Sequence, residues 1–330
     1  MVTSPQDRIS STAGDDWYRQ LTRLEGWRTF TTTTVTPPTL PADDEARLDY
    51  HTRLTVIATS TLRHVVNTGK RLVLLNRHTV SGRRGLIVSG PAGTGKTTAL
   101  IQFGKTHEVT DRLRHPGLDR IPVIYVTVPP AATPRMLAVE FARFLGIPVL
   151  PRANITDVIE AVCGIAVDAR VSLVCVDEIH NLKLSTRSGA EVSDTLKYFS
   201  ERIPATFLYA GIDVERQGLF SGIRGRQIAG RFTLVTTAGF PYTEEWQALV
   251  ATIEGSLRLR QHATGTLRSL DRYLHQRTNG MIGSLSHLIR GAALEAIADG
   301  TEQITKAVLD RIPLDHAADG LALRRSGMKR

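Results

Sequence analysis

The sequence is short of cysteine, of long apolar runs and, relative to its basic residues, of acidic ones. Its 330 residues include two cysteines, Cys163 and Cys175, both among apolar neighbours. We expect both to be small core residues in a reducing compartment, because they fit neither a disulfide framework nor a metal-ligand cluster. No run reaches the ~18 apolar residues that span a membrane, and the first residues have no apolar signal-peptide core. We therefore expect a cytoplasmic protein with no membrane partner.

The shortage of acidic residues leaves the chain basic. Lysine and arginine number 41 against 32 aspartates and glutamates, so the formal net charge is +9. This balance favours a polyanionic partner. Residues 222–290 carry nine arginines against four acidic residues, which favours nucleic acid over a merely solvated face. The nine are Arg224, Arg226, Arg231, Arg258, Arg260, Arg268, Arg272, Arg277 and Arg290.

One motif near residue 90 predicts nucleotide binding. The pattern G-x-x-x-x-G-K-[ST] follows an apolar, strand-like stretch and opens a segment with helical periodicity. Its glycines let backbone N–H groups turn toward a phosphate, and the helix N-terminus adds positive potential. We expect Lys96 to reach the β- and γ-phosphates of ATP and Thr97 to ligate Mg²⁺. The predicted nucleotide-binding residues of this loop are Gly90, Pro91, Ala92, Gly93, Thr94, Gly95, Lys96, Thr97 and Thr98.

A second apolar strand, 172–177, ends in two carboxylates, Asp177 and Glu178. In a parallel sheet covered on both faces, strands are continuously apolar and their carboxyl ends face the ligand crevice. Asp177 is therefore expected to hold Mg²⁺ and Glu178 to polarise the attacking water. With the phosphate loop, this pair predicts a Mg²⁺-dependent ATPase.

The first 44 residues form a distinct arm. Four aromatic residues in it, Trp17, Tyr18, Trp27 and Phe30, precede the Thr/Pro-rich run 31–38, which predicts an extended linker. The aromatic residues suit either docking to a partner or packing against the main domain, and the sequence leaves both open.

The rest of the chain alternates between strand and helix patterns. A helix is predicted over 43–78, and strands over 85–90, 121–128, 172–177, 205–210 and 233–240, with helices between them. This alternation predicts an α/β fold with a doubly wound, parallel five-stranded sheet. After Pro241 only helix patterns remain. The predicted domains are an arm (1–44), a nucleotide-binding core (45–243), a helical lid (244–315) and a basic tail (316–330).

The order of these parts resembles that of the AAA+ ATPases: phosphate loop, Asp-Glu strand, two further strands and an all-helical lid. Shorter segments resemble, more narrowly, the TniB/TnsC-like ATPase subunits of bacterial DNA transposition systems, over roughly residues 45–315. These segments are DEIHNL (177–182), LYAGIDVE (208–215), GLFSGIRGRQIAGRF (218–232) and GMIGSLSHLIRGAA (280–293).

The resemblance implies roles for several arginines. Arg231 matches the place where AAA+ proteins carry an arginine finger, which stabilises transition-state charge on the nucleotide of a neighbouring subunit. Arg226 is the second candidate, and Arg224 and Arg290 are further candidates for a finger or a DNA contact. The alternative for each is a surface or phosphate-contacting arginine. A finger acting in trans implies a homo-oligomer with ATP bound between subunits.

Two positions depart from the family pattern. Asp213 stands where AAA+ proteins sense the γ-phosphate, usually with Asn, Thr or Ser. The lid has Gly283, Ser284, Leu285 and Ser286 where such lids often have G-x-x-R. Either the lid arginine is absent or Arg290 replaces it from a shifted position. These departures predict a slow ATPase that acts as a timed switch.

Two other functions compete with the one that the resemblance implies. A helicase loader shares the AAA+ core and DNA binding, and a signalling or assembly ATPase would use its nucleotide state without DNA. The sequence argues against a DEAH-type helicase, because the ~50 residues between DEIH and Arg231 are too few for a second α/β domain.

The resemblance and the charge together predict a regulator of transposition. With ATP bound, the chain is expected to assemble on duplex DNA through phosphate contacts and to recruit a transposase. ATP hydrolysis would then disassemble the complex.

Overall fold

The computed structural model describes residues 20–34, 36–39, 43–53, 55–182, 187–215 and 230–314. These residues form two compact units. The first comprises the described residues of 1–33, 65–89 and 99–235, and the second those of 34–64, 90–98 and 236–314. In this part of the chain, no helix is long and apolar enough to cross a membrane.

A five-stranded sheet forms the centre of the first unit. Its spatial order is β2-β3-β4-β1-β5, and the pairs β2–β3, β3–β4 and β4–β1 are parallel. The first four strands are almost wholly buried, as their continuous apolar runs predict. The strands are β1 (Gly85–Ser89), β2 (Val123–Thr127), β3 (Leu173–Asp177), β4 (Thr206–Gly211) and β5 (Phe232–Thr236). The predicted α/β class and five-stranded sheet are confirmed.

Helices follow the strands in the predicted alternation. Side-chain caps fix several of their starts; for example, the side chain of Thr133 accepts the N–H of Met136, and that of Asn154 accepts the N–H of Thr156. In chain order the helices are α1 (Leu24–Thr32), α2 (Asp44–Thr52), α3 (Ser60–Asn76), α4 (Lys96–Arg114), α5 (Pro134–Phe144), α6 (Ile155–Asp168), α7 (Arg187–Arg202), α8 (Glu244–Gly255), α9 (Thr266–Ser269), α10 (Asp271–Thr278), α11 (Ile282–Ala298) and α12 (Lys306–Arg311).

The helix predicted over 43–78 is two helices, α2 and α3. Arg53 leaves the helical conformation at the end of α2, and the β-branched residues Thr55, Val56 and Ile57 that follow disfavour a helix. The guanidinium of Arg290 also donates to the carbonyls with which α2 ends. The prediction of one continuous helix was therefore wrong.

The N-terminal arm packs against the sheet in its described part. Trp27 is fully buried and stacks on Tyr125 of β2, with ring centroids 5.6 Å apart. Gly104 of α4 makes room for this ring, because a Cβ there would lie 2.7 Å from it. Lys105 donates to the carbonyls of Phe30 and Thr33 at 3.1 and 3.0 Å. Of the two interpretations of the arm, packing against the main domain is the one that Trp27 follows.

Two other expectations for the arm have different outcomes. Helix α1 continues through Thr32, so the extended linker begins two residues later than the Thr/Pro-rich run predicts. Trp17 and Tyr18 lie outside the described residues.

The second unit is helical from 244 onward in its described part, as expected. Its hydrophobic core includes residues of α8 and α11, such as Trp246, Leu285 and Leu288. Helix α2 packs on α11. The fully buried Arg47 of α2 makes a bidentate ion pair with Glu302, at 2.6 and 2.7 Å.

The predicted domain boundaries near 44, 243 and 315 stay predictions. The tail, 316–330, lies outside the described residues.

Candidate nucleotide site

The phosphate loop leaves the carboxyl end of β1 and closes where α4 begins at Lys96. Gly90, Gly93 and Gly95 all have positive φ angles, of 153°, 75° and 88°. At Gly90 a side chain has no room either, because a Cβ would lie 2.2 Å from the carbonyl oxygen of Thr237. These three backbone positions therefore depend on glycine, as the motif predicts.

Hydrogen bonds of its own side chains stabilise the shape of the loop, and all of these contacts lie within the second unit. The hydroxyl of Thr94 donates to the carbonyl of Pro91 at 2.9 Å and shares a hydrogen bond with the hydroxyl of Thr237 at 2.7 Å. The ammonium of Lys96 donates to the same carbonyl of Pro91 at 2.6 Å. The loop is thus fixed by its own contacts, with Pro91, Ala92 and Gly93 exposed and Thr97 and Thr98 half-buried.

The chemistry of this donor set fits a triphosphate with Mg²⁺. The first N–H groups of α4 have no acceptor within the helix, and the glycines keep side chains out of the loop. Lys96 adds a positive charge, and the hydroxyl oxygen of Thr97 is a suitable ligand for a magnesium ion. The residues present therefore suit the cofactors that the motif predicts.

The lid helix α11 touches the loop directly. The backbone N–H of Gly283 donates to the carbonyl of Gly93 at 2.9 Å. A Cβ on Gly283 would lie 3.1 Å from backbone atoms of Gly93. In the segment that departs from the G-x-x-R pattern, the backbone of Gly283 therefore contacts the phosphate loop.

The side chain of Arg290, a residue of α11, reaches the carboxyl end of α2. Its guanidinium donates to the carbonyl of His51 at 2.9 Å and to that of Thr52. Burial lowers the pKa of this arginine. The structure thus gives Arg290 a capping role, and its part in nucleotide or DNA binding stays a prediction.

Asp177 and Glu178 stand at the carboxyl edge of the sheet, at the end of β3. Asp177 is buried, and its carboxylate accepts the hydroxyl of Tyr125 at 3.0 Å and the backbone N–H of Glu178 at 2.8 Å. Glu178 has a left-handed φ of 57°, a strained position for a residue with a Cβ and one that is common at functional sites. Its side chain is 38% exposed, so water reaches it.

Sequence reasoning missed one residue beside this pair, His180. Its Nε2 lies 3.2 Å from the carboxylate of Glu178, and its Nδ1 accepts the backbone N–H of Ile212 at 3.3 Å. Because Nδ1 accepts, the ring proton of the neutral imidazole is on Nε2, and it points at Glu178. The signal was the sequence DEIH, in which a single 3₁₀ turn brings the histidine back to the glutamate.

Asp213 occupies the turn after β4, with a left-handed φ of 44°. The next N–H, that of Val214, donates to the hydroxyl of Ser89 at 2.9 Å, and the same hydroxyl contacts the carboxylate of Glu215. The turn is therefore tied to the end of β1. A γ-phosphate-sensing role for Asp213 stays a prediction.

Arg231 lies at the opposite, amino edge of the sheet. Its carbonyl accepts the N–H of Gly85, the first residue of β1. Its half-exposed guanidinium lies 3.7 Å from the carboxylate of Glu201, beside a cleft that Leu196 and Phe207 also line. An exposed pair at this distance is weak, so the side chain is free to turn elsewhere. Arg224 and Arg226 lie outside the described residues.

Comparison with known protein families shows to which family this chain belongs. The family model described as "Bacterial TniB protein" matches residues 47–241. The chain belongs to the TniB family. Among curated protein sequences, none matches it significantly.

Solved structures similar to this TniB-family chain include two proteins of Aeropyrum pernix. The ORC1 protein in complex with DNA has a TM-score of 0.60 at 15% identity, covering 83% of this chain and 67% of that one. The ORC2 protein in its ADP form has a TM-score of 0.61 at 18% identity, covering 78% and 70%. The structure of ORC2 in ADPNP–ADP complexes has a TM-score of 0.58 at 17% identity, covering 86% of this chain and 70% of that one. These likenesses concern the fold, and they confirm the predicted AAA+ architecture.

Proposed function

We propose that this TniB-family chain is an ATPase whose nucleotide state controls its assembly on duplex DNA during transposition. The observation that carries the proposal is the phosphate loop. Three glycines with positive φ hold it open, and Lys96 and the start of α4 follow directly. Lys96 would neutralise the β- and γ-phosphates of ATP.

Hydrolysis would depend on residues at the carboxyl ends of β1 and β3. Thr97 and Asp177 would hold Mg²⁺, which neutralises phosphate charge when bound. Glu178 would orient and polarise the attacking water, because its carboxylate is half-exposed while that of Asp177 is buried. We propose a slow reaction, suited to timing the life of an assembly.

Arg231 would complete the site of a neighbouring subunit. It lies at the amino edge of its own sheet, while Asp177 and Glu178 lie at the carboxyl edge. It therefore acts on nucleotide only in trans, and the active form would be a homo-oligomer. An arginine finger contributes ~10³–10⁵ in rate in other phosphoryl-transfer systems.

DNA and transposase enter the proposal through the family and the charge. The TniB match, the net charge of +9 and the fold support a DNA-binding ATPase of transposition. One similar protein, the A. pernix ORC1 protein, was solved in complex with DNA. The transposase is the partner that the assembled protein would recruit.

Sedimentation of the purified full chain tests the proposal. Large assemblies that need both a non-hydrolysable ATP analogue and random-sequence duplex DNA are expected. Assembly that depends on nucleotide alone and ignores DNA would instead favour a signalling ATPase, and a requirement for a replicative helicase would favour a loader.

Two variants separate binding from hydrolysis. Lys96→Ala should abolish nucleotide binding, because the phosphate charge loses its partner; unchanged affinity would refute the loop assignment. Glu178→Gln should bind ATP normally and accumulate assemblies on DNA, because only the activation of water is lost. Turnover at the wild-type rate in Glu178→Gln would remove Glu178 from the mechanism.

A further inference from the structure

The arginines of the second unit that were expected to bind DNA are largely engaged within that unit. Arg260 contacts the carboxylates of Asp44 and Glu302, and Arg277 contacts that of Asp310. Backbone carbonyls take two other guanidinium groups. The engaged arginines are Arg258, Arg260, Arg277 and Arg290. Four of the six arginines of this set in the second unit are therefore committed to contacts within it, and a less committed group of positive charges lies in the first unit.

Between Asp49 and Glu108 the sequence has no acidic residue at all. The first unit contains the middle of this stretch, which is the second half of α3 and the loop that leads to β1. Five basic residues lie there, and together they are called the basic face: Lys70, Arg71, Arg77, Arg83 and Arg84.

The fold holds the basic face toward solvent. Gly69 and Leu72 lie on the opposite, buried side of α3, where a Cβ on Gly69 would meet the ring of Phe103 at 2.6 Å. Lys70 lies in α3 and Arg77 directly follows its last residue, about two helical turns further on, and both side chains are exposed. Their separation along the axis is about 10 Å, a length over which one DNA strand carries about three phosphates.

Asn76 joins the loop to the helix. Its side-chain amide donates to the carbonyl of Arg84 at 2.7 Å and accepts the N–H of Arg84 at 2.9 Å. The same amide donates to the hydroxyl of Thr206 in β4 at 2.9 Å. Arg83 and Arg84 are thus fixed next to the end of α3, and the basic face is one surface on a rigid support.

Among the residues that the structure describes, the charges of the basic face have no ion-pair partners. Partial burial lowers the pKa of Arg83. A group of cations without ion pairs suits a polyanion, because phosphates supply the opposite charge.

We infer that the basic face binds the phosphates of duplex DNA. The inference rests on the proposed DNA-binding function. It assigns the main DNA contact to the basic face at α3 instead of to the arginines of 222–290. Leu74 and Leu75 are exposed on the same surface, which would suit a protein partner. The charge favours DNA, because a protein partner would need a matching acidic surface.

The test compares two full-length variants that each lose three positive charges. The first is Lys70→Gln, Arg71→Gln, Arg77→Gln on the basic face. The control neutralises three exposed arginines elsewhere in the first unit, Arg114, Arg152 and Arg170, also to glutamine. Binding to a labelled random-sequence duplex is measured by anisotropy with a non-hydrolysable ATP analogue at several salt concentrations.

The basic-face variant should bind DNA at least tenfold more weakly at low salt. Its slope of log affinity against log salt should be shallower by about 2–3, since each lost phosphate contact removes about one. The control should change this slope by less than one. Nucleotide binding should be unchanged in both, which verifies that the variants fold.

Other outcomes overturn the inference in distinguishable ways. Equal weakening in both variants would mean that net charge alone matters. Normal DNA binding with loss of DNA-independent self-assembly would make the face a contact between copies of this chain. In either case wild-type binding to DNA leaves the proposed function standing, whereas a wild-type protein that does not bind DNA refutes both.

Discussion

The Nε2 atom of His180 lies 3.2 Å from the carboxylate of Glu178, and the other ring nitrogen accepts the N–H of Ile212. The imidazole therefore connects the proposed catalytic carboxylate at the end of β3 with the backbone at the end of β4. This contact fixes the orientation of the Glu178 carboxylate, so we expect His180 to act as a positioning residue.

Substitutions of His180 separate its two contacts. Glutamine places an N–H donor near the position of Nε2, and asparagine places an acceptor near that of Nδ1. We expect His180→Asn to lower kcat for ATP on the order of tenfold or more, with KM little changed. His180→Gln should retain most of the rate. Steady-state kinetics measure both.

The reverse order of the two variants would contradict this role. If His180→Asn keeps the rate and His180→Gln loses it, the contact with Ile212 is the important one. The melting temperatures of the variants provide the control for folding.

Gly283 is predicted to resist substitution although it lies in a helix. Alanine in a helix interior is favoured over glycine by roughly 0.5–1 kcal/mol, but here its Cβ would lie 3.1 Å from the backbone of Gly93. Gly283→Ala should therefore bring no gain in stability and should weaken ATP binding severalfold. Gly164→Ala is the matched control, because nothing lies within 4 Å of its Cβ; it should stabilise the protein. Chemical denaturation and nucleotide titration test the pair.

Trp27→Ala should destabilise the first unit. The ring is fully buried and stacked on Tyr125, so its removal leaves a large cavity and costs about 3–5 kcal/mol. Trp27→Phe keeps an aromatic ring and should cost less. The free energy of unfolding in urea distinguishes this expectation from a detachable arm, for which both variants would match wild type.

Acid should weaken the second unit through His51. Burial, reinforced by the charges of Arg258, Arg47 and Arg290, lowers the pKa of His51 from 6.5 to about 4. The unfolded chain therefore takes up a proton near pH 6.5 while the folded chain does not. This contribution to stability is complete above pH 6.5 and is lost as the pH falls toward 4, by at most about 1.4 kcal/mol per pH unit.

His51→Gln tests this dependence, because an amide oxygen still accepts an N–H without taking up a proton. The free energy of unfolding measured from pH 7 to 4.5 should fall less steeply in the variant. Part of the fall should remain, because burial also lowers the pKa of His107 to about 4. Parallel curves for variant and wild type would refute the role of His51.

The strands and the phosphate loop were predictable because their signals are local. Strand β1 ends at Ser89 where a strand over 85–90 was predicted, since apolar runs and glycines report directly on burial and backbone conformation. The end of β3 at Asp177 was equally predictable. The packing of the aromatic arm was not predictable, because a single sequence does not reveal that the ring of Trp27 stacks on that of Tyr125.

The rest depended on contacts between distant residues. His180 gains its role only because β3 and β4 are neighbours. The arginines near 222–290 looked available for DNA, but Arg260 and Arg290 are engaged with residues of α2. Charge counted along a sequence does not distinguish cations that are already paired from those that are not.

The stacking of Trp27 on Tyr125 has a practical consequence. The hydroxyl of Tyr125 donates to Asp177, so one aromatic ring separates an indole from the carboxylate proposed to hold Mg²⁺. The emission spectrum of that indole depends on the electric field of its surroundings. The molecule thus carries its own optical label, and the arrival of a cation at Asp177 is open to measurement without attaching a dye.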